Sequence, residues 1–226
     1  MDTTERTYTP NYGTGWGLHI WREMLEEALS SRELTWRLFI RDFSARYKQS
    51  VLGVAWAVIL PIIAVGTFVI LNRSGLLNVG DTGVPYPVYA LLGLTIWQVF
   101  AGGLTACSNA IISGGSMVIK INFPKETLVI AAMGQAIFEL LVRIILLAIV
   151  MIIFQASPTW TVVFFPVTLL PLVMLTLGLG LSLSLINVVL RDVASIVTLT
   201  TTFLMFLTPV IYPAPNTGSL ATLMAF

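Results

Sequence analysis

Glu139 and Arg143 stand four residues apart in a run, 127–154, that carries no other charge. On a helix that spacing puts both on one face, with the acid on the N-terminal side, the order that favours an ion pair. Ionisable groups within so apolar a run are costly and face protein or water. The pair therefore reads either as a mutually neutralised contact between helices or as a polar lining of a substrate path. Other residues able to do chemistry are few. Asp42, Asp81, Glu126 and Asp192 lie near apolar runs, and none forms a paired acidic motif. A membrane glycosyl- or phosphotransferase acting on a lipid-linked sugar would need convergent carboxylates or a metal cluster. One histidine, His19, leaves little for a His-based metal site or triad. One cysteine, Cys107, excludes an intrachain disulfide and a multi-cysteine metal site. An ion-coupled transporter would carry isolated acids in broken helices, and Glu139 has Arg143 to neutralise it.

The elements that must position these residues belong in a bilayer. The chain is 57% hydrophobic and 10% charged, with a mean hydropathy of +0.90. A soluble domain carries roughly a quarter charged residues. The net charge of +1 gives no bulk argument for a nucleic-acid partner. A helix needs about 20 apolar residues to cross about 30 Å of hydrocarbon. Five stretches qualify: about 51–72, 86–112, 127–154, 161–188 and 194–212. They are continuously apolar and lack the alternation of a membrane barrel. The expected fold is all-α and polytopic, with residues 1–50 as a cytoplasmic N-terminal segment and 51–226 as the transmembrane domain. The first apolar run starts near residue 51 behind a long charged segment, so no signal peptide is expected.

Cations set the orientation. Arg6, Arg22, Arg32, Arg37, Arg41, Arg46 and Lys48 precede the first span, Lys120 and Lys125 follow the second, and Arg191 follows the fourth. The opposite side holds Arg73. A cytoplasmic N-terminus is expected. Upstream of the first span, 18–48 reads as helix, in one piece or two, with Ser30 or Ser31 as a cap and Glu33 in the first turn. Leu34, Leu38, Phe39, Phe43 and Tyr47 recur at helical spacing, with Arg37, Arg41 and Lys48 off that stripe. Such a helix lies in the membrane interface, as a lipid anchor or as something more. The loop SGGSMVIKINFPKE, 113–126, is broken by Gly114 and Gly115 and stopped by Pro124. Its Val118, Ile119, Ile121 and Phe123 are too apolar for a solvated loop, so it dips into the interface or docks on a cytoplasmic partner.

Small and hydroxylated residues within the spans have packing roles first. Gly178, Gly180, Ser182 and Ser184 in LGLGLSLSL form a small-residue face suited to close helix contact. Thr198, Thr200, Thr201 and Thr202 either satisfy backbone carbonyls or line a wet path. Pro61, Pro166, Pro171 and Pro209 interrupt spans, as prolines commonly do in membranes.

RDFSARYKQSVLGVAWAVILP (41–61), SMVIKINFPKETL (116–128) and LRDV followed by FLTPVIYP (190–193, 206–213) together resemble the type-2 permeases of ATP-binding-cassette transporters. The resemblance runs from about residue 30 to the end and is nearest to the branch that exports O-antigen, capsular polysaccharide and teichoic acid. It implies roles by position. Arg41, Asp42, Arg46, Tyr47, Gln49, Ser50, Gly53 and Trp56 match the entry motif where an interface helix meets the first span. Lys120, Asn122, Phe123, Pro124, Lys125 and Glu126 match the coupling loop that packs on the ATPase. Arg191 and Asp192 match the acid–base pair of the second cytoplasmic loop, and Pro209, Tyr212 and Pro213 the outer end of the fifth helix.

The family continues into a sixth span, whereas this chain stops at Phe226 after SLATLMAF, so a truncated sequence is expected. The chain has no P-loop GxxxxGK[ST], which suits a family whose ATPase, with its ATP and Mg, is a separate polypeptide. The implied unit is two permeases and two ATPase subunits in a bacterial inner membrane, moving a glycan on a polyprenyl-phosphate lipid. Trp56, Phe68, Trp97, Phe100, Phe203 and Phe206, with Glu139 and Arg143, are candidates for the path, the rings alternatively being lipid-facing packing. A permease for drugs or lipids shares the architecture and is the alternative reading.

Overall fold

The computed structural model describes residues 30–48, 50–76, 79, 80, 82–115, 117, 118 and 123–213. Gln49, Lys120 and Asn122 therefore lie outside the described residues, as do residues 18–29 and SLATLMAF. The described chain is all helical: α1 (Arg32–Lys48), α2 (Trp56–Arg73), α3 (Tyr86–Ser113), α4 (Glu126–Ile153), α5 (Phe165–Val189) and α6 (Val193–Leu207). Short 3-10 turns, Gly53–Ala55 and Trp160–Phe164, precede α2 and α5. Four segments are long and apolar enough to cross a membrane: Gly53–Arg73, Tyr86–Ser113, Glu126–Ile153 and Val162–Val189.

The fifth apolar stretch forms a shorter helix than 194–212 implies. α6 ends at Leu207, with Thr208 in extended conformation at its C-cap. The residue before a proline is pushed out of the helical region, and Pro209 follows Thr208. The segment 208–213 then folds back onto the start of α3. Tyr86 donates its hydroxyl to the Ile211 carbonyl at 3.2 Å, and Tyr89 to that of Tyr212 at 2.9 Å. Gly93 lies directly beneath the Val210 carbonyl, where a side chain would collide with backbone.

α3 is the centre of the bundle, packed on α4, α5, α6 and α2. Its core residues Val99, Cys107, Ala110 and Ile111 meet Leu128, Val129, Met133 and Ala136 of α4, and Leu169 of α5. α2 packs on α3 and α4 but fully buries only Pro61, and its exposed face is left for lipid or another chain.

The small-residue face of α5 differs from LGLGLSLSL read as a block. Gly180 and Ser184 are buried with Thr176 and Asn187, whereas Gly178 and Ser182 are exposed on the other side. Residues two apart on a helix point about 200° apart, so the two glycines cannot share a contact. A Cβ at Gly180 would come within 2.5 Å of the Cys107 Cβ, and one at Gly178 meets nothing. Asn187 closes the seam near its charged end, donating to the Ser108 carbonyl at 2.9 Å and to Asn109 Oδ1 at 3.3 Å.

These contacts separate two otherwise similar substitutions. Gly180→Ala must force α3 and α5 apart, and overpacking costs about 1–3 kcal/mol. Gly178→Ala gains helix propensity at no steric cost. Thermal unfolding of the purified protein in detergent should show a lowered midpoint for Gly180→Ala and an equal or raised one for Gly178→Ala.

Candidate functional site

The candidate residues lie along α1 and its neighbours: the α3–α4 loop touches α1 through Met117 and Arg41, and Glu139 and Arg143 stand further along α4. α1 opens with Glu33 in its first turn and ends with Arg46 and Lys48 in its last, both in the order a helix dipole favours. Its apolar stripe does not rest on lipid alone. Leu38 is buried, and Leu34 and Phe39 pack against the central core. Phe43 meets Phe138 edge-on at 4.8 Å, and Phe39 lies where a Cβ on Gly134 would stand 3.2 Å away. Phe39, Phe43 and Arg46 thus contact Gly134, Phe138 and Glu139 in the same order, so α1 runs along α4 in the same direction. A ladder of rings, Trp36–Phe39–Phe43–Tyr47, follows the stripe with centroids 4.9–5.9 Å apart.

The turn out of α1 explains part of the entry motif. Ser50 N–H bonds to the Tyr47 carbonyl and Gly53 N–H to that of Ser50, at 3.3 and 3.2 Å. Gly53 has φ +50°, a conformation that glycine adopts without strain. Trp56 starts α2 and is partly exposed. Arg41 pairs with Asp42 at 2.7 Å and lies 3.4 Å from the Met117 sulfur of the α3–α4 loop.

Glu139 is the hinge of the site. Its Oε1 accepts from Arg46 Nη1 at 2.5 Å and its Oε2 from Arg143 Nη2 at 3.4 Å. The expected Glu139–Arg143 pair is present, and Arg46, 93 positions upstream in the chain, makes it a triad. The shorter contact goes to Arg46. Glu139 lies 13 residues into α4, roughly 20 Å along its axis. Tyr47 sits over this triad, and its phenol is pushed above its ordinary pKa, first by burial and then by the Glu139 charge.

Two cavities flank the triad. One, of about 550 Å³, is bounded by α1, α3, α4 and α6, and its polar lining includes Asp42, Arg46, Gln98, Asn109 and Gln135. The other, of about 240 Å³, lies between α2 and α3 and is lined by Trp97, Gln98 and Arg143 among apolar residues. Gln98 faces both. Of the aromatic path candidates, Trp97 lines the second cavity and stands 5.7 Å from Phe100. Phe100 itself packs on Leu104, Val193 and Val197. Trp56, Phe68, Phe203 and Phe206 line neither of these two cavities, and Phe203 and Phe206 are exposed on α6. The threonines of α6 serve both readings. Thr198, Thr201 and Thr202 donate to carbonyls four residues back, while Thr201 also lines the larger cavity.

In the α3–α4 loop, Phe123 packs against the chain's own core, so part of its apolar character is satisfied internally. The Pro124 carbonyl accepts from the Thr127 hydroxyl at 2.6 Å, which fixes the start of α4, and Lys125 beside it is exposed, with Glu126 opening the helix. Arg191 and Asp192 are exposed in the α5–α6 turn. Arg46 as partner of Glu139, and the amides Gln98, Gln135 and Asn109, are absent from the sequence reading. The amides were detectable as polar residues within apolar runs. The Arg46 contact was not, since only the docking of α1 on α4 creates it.

Removing Glu139 alone leaves Arg143, whose side chain is 14% exposed, without its carboxylate. Breaking a fully buried pair from one side costs about 3–5 kcal/mol, more than removing both partners, and this part-buried pair keeps the sign at a smaller size. Glu139→Ala should therefore lower membrane yield and thermal stability more than Glu139→Ala with Arg143→Ala, as followed by fluorescence-detected size exclusion. A double variant as unstable as the single one would contradict this.

Known proteins resemble this chain in sequence along most of its length. An O-antigen export system permease protein of Myxococcus xanthus is 29% identical over 194 residues, covering 84% of this chain and 72% of that protein. Two such permease proteins of Klebsiella pneumoniae are 24% and 23% identical, each match covering 76% of this chain and 66% of the relative. The description of one membrane-protein family, ABC-2 type transporter, matches residues 33–225, from the first turn of α1 onward, and the chain belongs to that family.

Proposed function

We propose that this chain is the permease subunit of an ATP-driven exporter of lipid-linked polysaccharide, of the O-antigen, capsular or teichoic-acid kind, working as two permeases with two separate ATPase subunits. The observation that carries it is the likeness over 84% of the chain to a protein named an O-antigen export system permease. The fold supports the reading. Transport of a hydrophilic polymer needs polar surface within an apolar bundle, and the cavity of Gln98, Asn109, Gln135 and Thr201 supplies it. α1 and the α3–α4 loop lie at one end, touching through Arg41 and Met117. Together they form the face on which an ATPase would push.

The proposed orientation puts α1, Lys125, Arg191 and Asp192 in the cytoplasm of a bacterial cell, next to the inner membrane, and the 155–159 loop outside. Residues 120–126 then form the coupling loop. Exposed Lys125 is its cleanest probe, because truncating Phe123 also removes core contact. The exposed surfaces of α2 and α6, including Phe203 and Phe206, are available to a second copy.

Native Cys107 is buried, so single cysteines introduced elsewhere can be read against a Cys107→Ser background. Cysteine at Lys125 and cysteine at Ser157 should label from opposite sides of intact cells, and only the former should cross-link to a co-expressed ATPase. Labelling of both from outside would refute the orientation. Glycosyl transfer by the purified chain with no ATPase present would refute the transport reading.

A further inference from the structure

We propose that Arg46 and Arg143 form a binding site for the phosphate group of a lipid-linked substrate, with Glu139 as its internal counter-ion. The proposal rests on the export reading and specifies where that substrate is first held. Charge is the starting observation. Arg41 already pairs with Asp42, so the triad stands as two guanidinium groups sharing one carboxylate, an excess of one positive charge next to an apolar core. A guanidinium has five N–H donors. Arg143 makes one hydrogen bond among the described residues, the 3.4 Å contact to Glu139. Its remaining donors have no protein acceptor there, and the side chain lines the cavity between α2 and α3.

Shape is the second observation. Arg46 lines one cavity and Arg143 the other, and Gln98 belongs to both. A phosphate beside the Glu139 carboxylate that bridges the two guanidinium groups, taking their other N–H donors, would complete the charge balance. The walls also match a lipid-linked ligand. Beside Arg143 the cavity is lined by Leu60, Pro61, Val65, Leu91 and Leu94, which suit a prenyl chain. The other cavity, beside Arg46, is lined by Asn109, Gln135 and Thr105, which suit sugar hydroxyls. An anion with an apolar tail on one side and a polar glycan on the other is the chemistry these surfaces recognise together. Glu139 keeps the two cations tolerable and repels an arriving anion, so its charge should weaken binding while holding the site in shape.

The test uses the full chain in phosphatidylcholine nanodiscs, with farnesyl pyrophosphate as probe and thermophoresis as readout. Farnesyl pyrophosphate should bind, while farnesol and inorganic pyrophosphate should bind far more weakly. Arg46→Gln leaves the Glu139–Arg143 pair neutral and intact, so it should fold, and it should weaken binding by at least about tenfold. Arg46→Lys, which keeps the charge but loses the planar fork, should fall between. Glu139→Gln should strengthen binding, and should it fail to insert, the two Arg46 variants decide. Unchanged affinity in Arg46→Gln would overturn the site. Equal competition by phosphatidylglycerol would overturn its assignment to the lipid carrier. Binding as expected, with no ATPase-dependent glycan export by the wild type in cells, would overturn the export reading and leave the anion site standing.

Discussion

A carboxylate deep in an apolar bundle cannot be left alone, and much of this structure follows from that constraint. Glu139 sits on a helix of 28 residues whose buried positions are alanine, leucine, valine and methionine, with Thr127 at its start. Desolvating an unpaired charge there would cost several kcal/mol. Arg143, one turn onward, meets it at 3.4 Å, and Arg46 meets it at 2.5 Å. The second contact exists only while α1 is docked on α4. That docking in turn needs Gly134 where Phe39 presses on the α4 surface, Phe138 opposite Phe43, and the positive-φ turn at Gly53 that lets α2 depart from the end of α1. Arg46 is about half exposed, so solvent screens its share of the attraction. Phe39 against Gly134 and Phe43 against Phe138 supply apolar adhesion, and the ion pair sets its register.

Backbone and hydroxyl groups obey the same rule with smaller energies. Thr95, Thr127, Thr176, Ser184 and Thr201 are buried, and each hydroxyl donates to a carbonyl three or four residues back. Each removes its own polar cost without a partner helix. Asn187 is different in kind, because its amide nitrogen reaches across to α3. It ties α5 to α3 at the charged end of a seam otherwise made by Gly180 against Cys107. The amide oxygen of Asn187 has no hydrogen-bond partner among the described residues. The seam accepts that cost to gain the interhelical bond.

The long elements were legible in the sequence because bilayer thickness writes itself into run length. Four of the five expected spans appear within a few residues of their expected bounds, and the stripe Leu34, Leu38, Phe39, Phe43 was visible by its period alone. The features missed are those that depend on two distant segments meeting. No local pattern announces that Arg46 faces Glu139. Likewise, Gly178 and Gly180 look equivalent until α3 is placed against one of them. The early end of α6 is an intermediate case. Thr208 before Pro209 carries the signal, but apolar Val210 and Ile211 mask it, because Ile211 is buried and Val210 half-buried by folding back on Tyr86, Tyr89 and Gly93 rather than by continuing the helix. Phe123 shows the converse. Its apolar character in a loop is plain in the sequence, yet the chain's own core already covers part of it.

The distribution of burial also decides how motion at the charged end would travel. α2 follows α1 directly in sequence and would seem its natural mechanical partner. It is nevertheless the most loosely held span, burying Pro61 alone and joined to α1 through a turn containing a glycine. α1 instead shares the Phe43–Phe138 ring contact, the buried Leu38 and an ion pair with α4, and α4 shares the central core with α3. A closely packed interface moves as a unit, whereas a glycine turn absorbs rotation. A push on α1 therefore reaches α4 and α3 before it reaches α2. The cavity holding Gln98, Asn109 and Gln135 is walled by α1, α3, α4 and α6, so its shape depends on the rigid group. The cavity beside Arg143 has α2 as one wall, so its width depends on the loosely held helix. The two compartments meet at Gln98, and a single displacement of α1 changes them by different amounts.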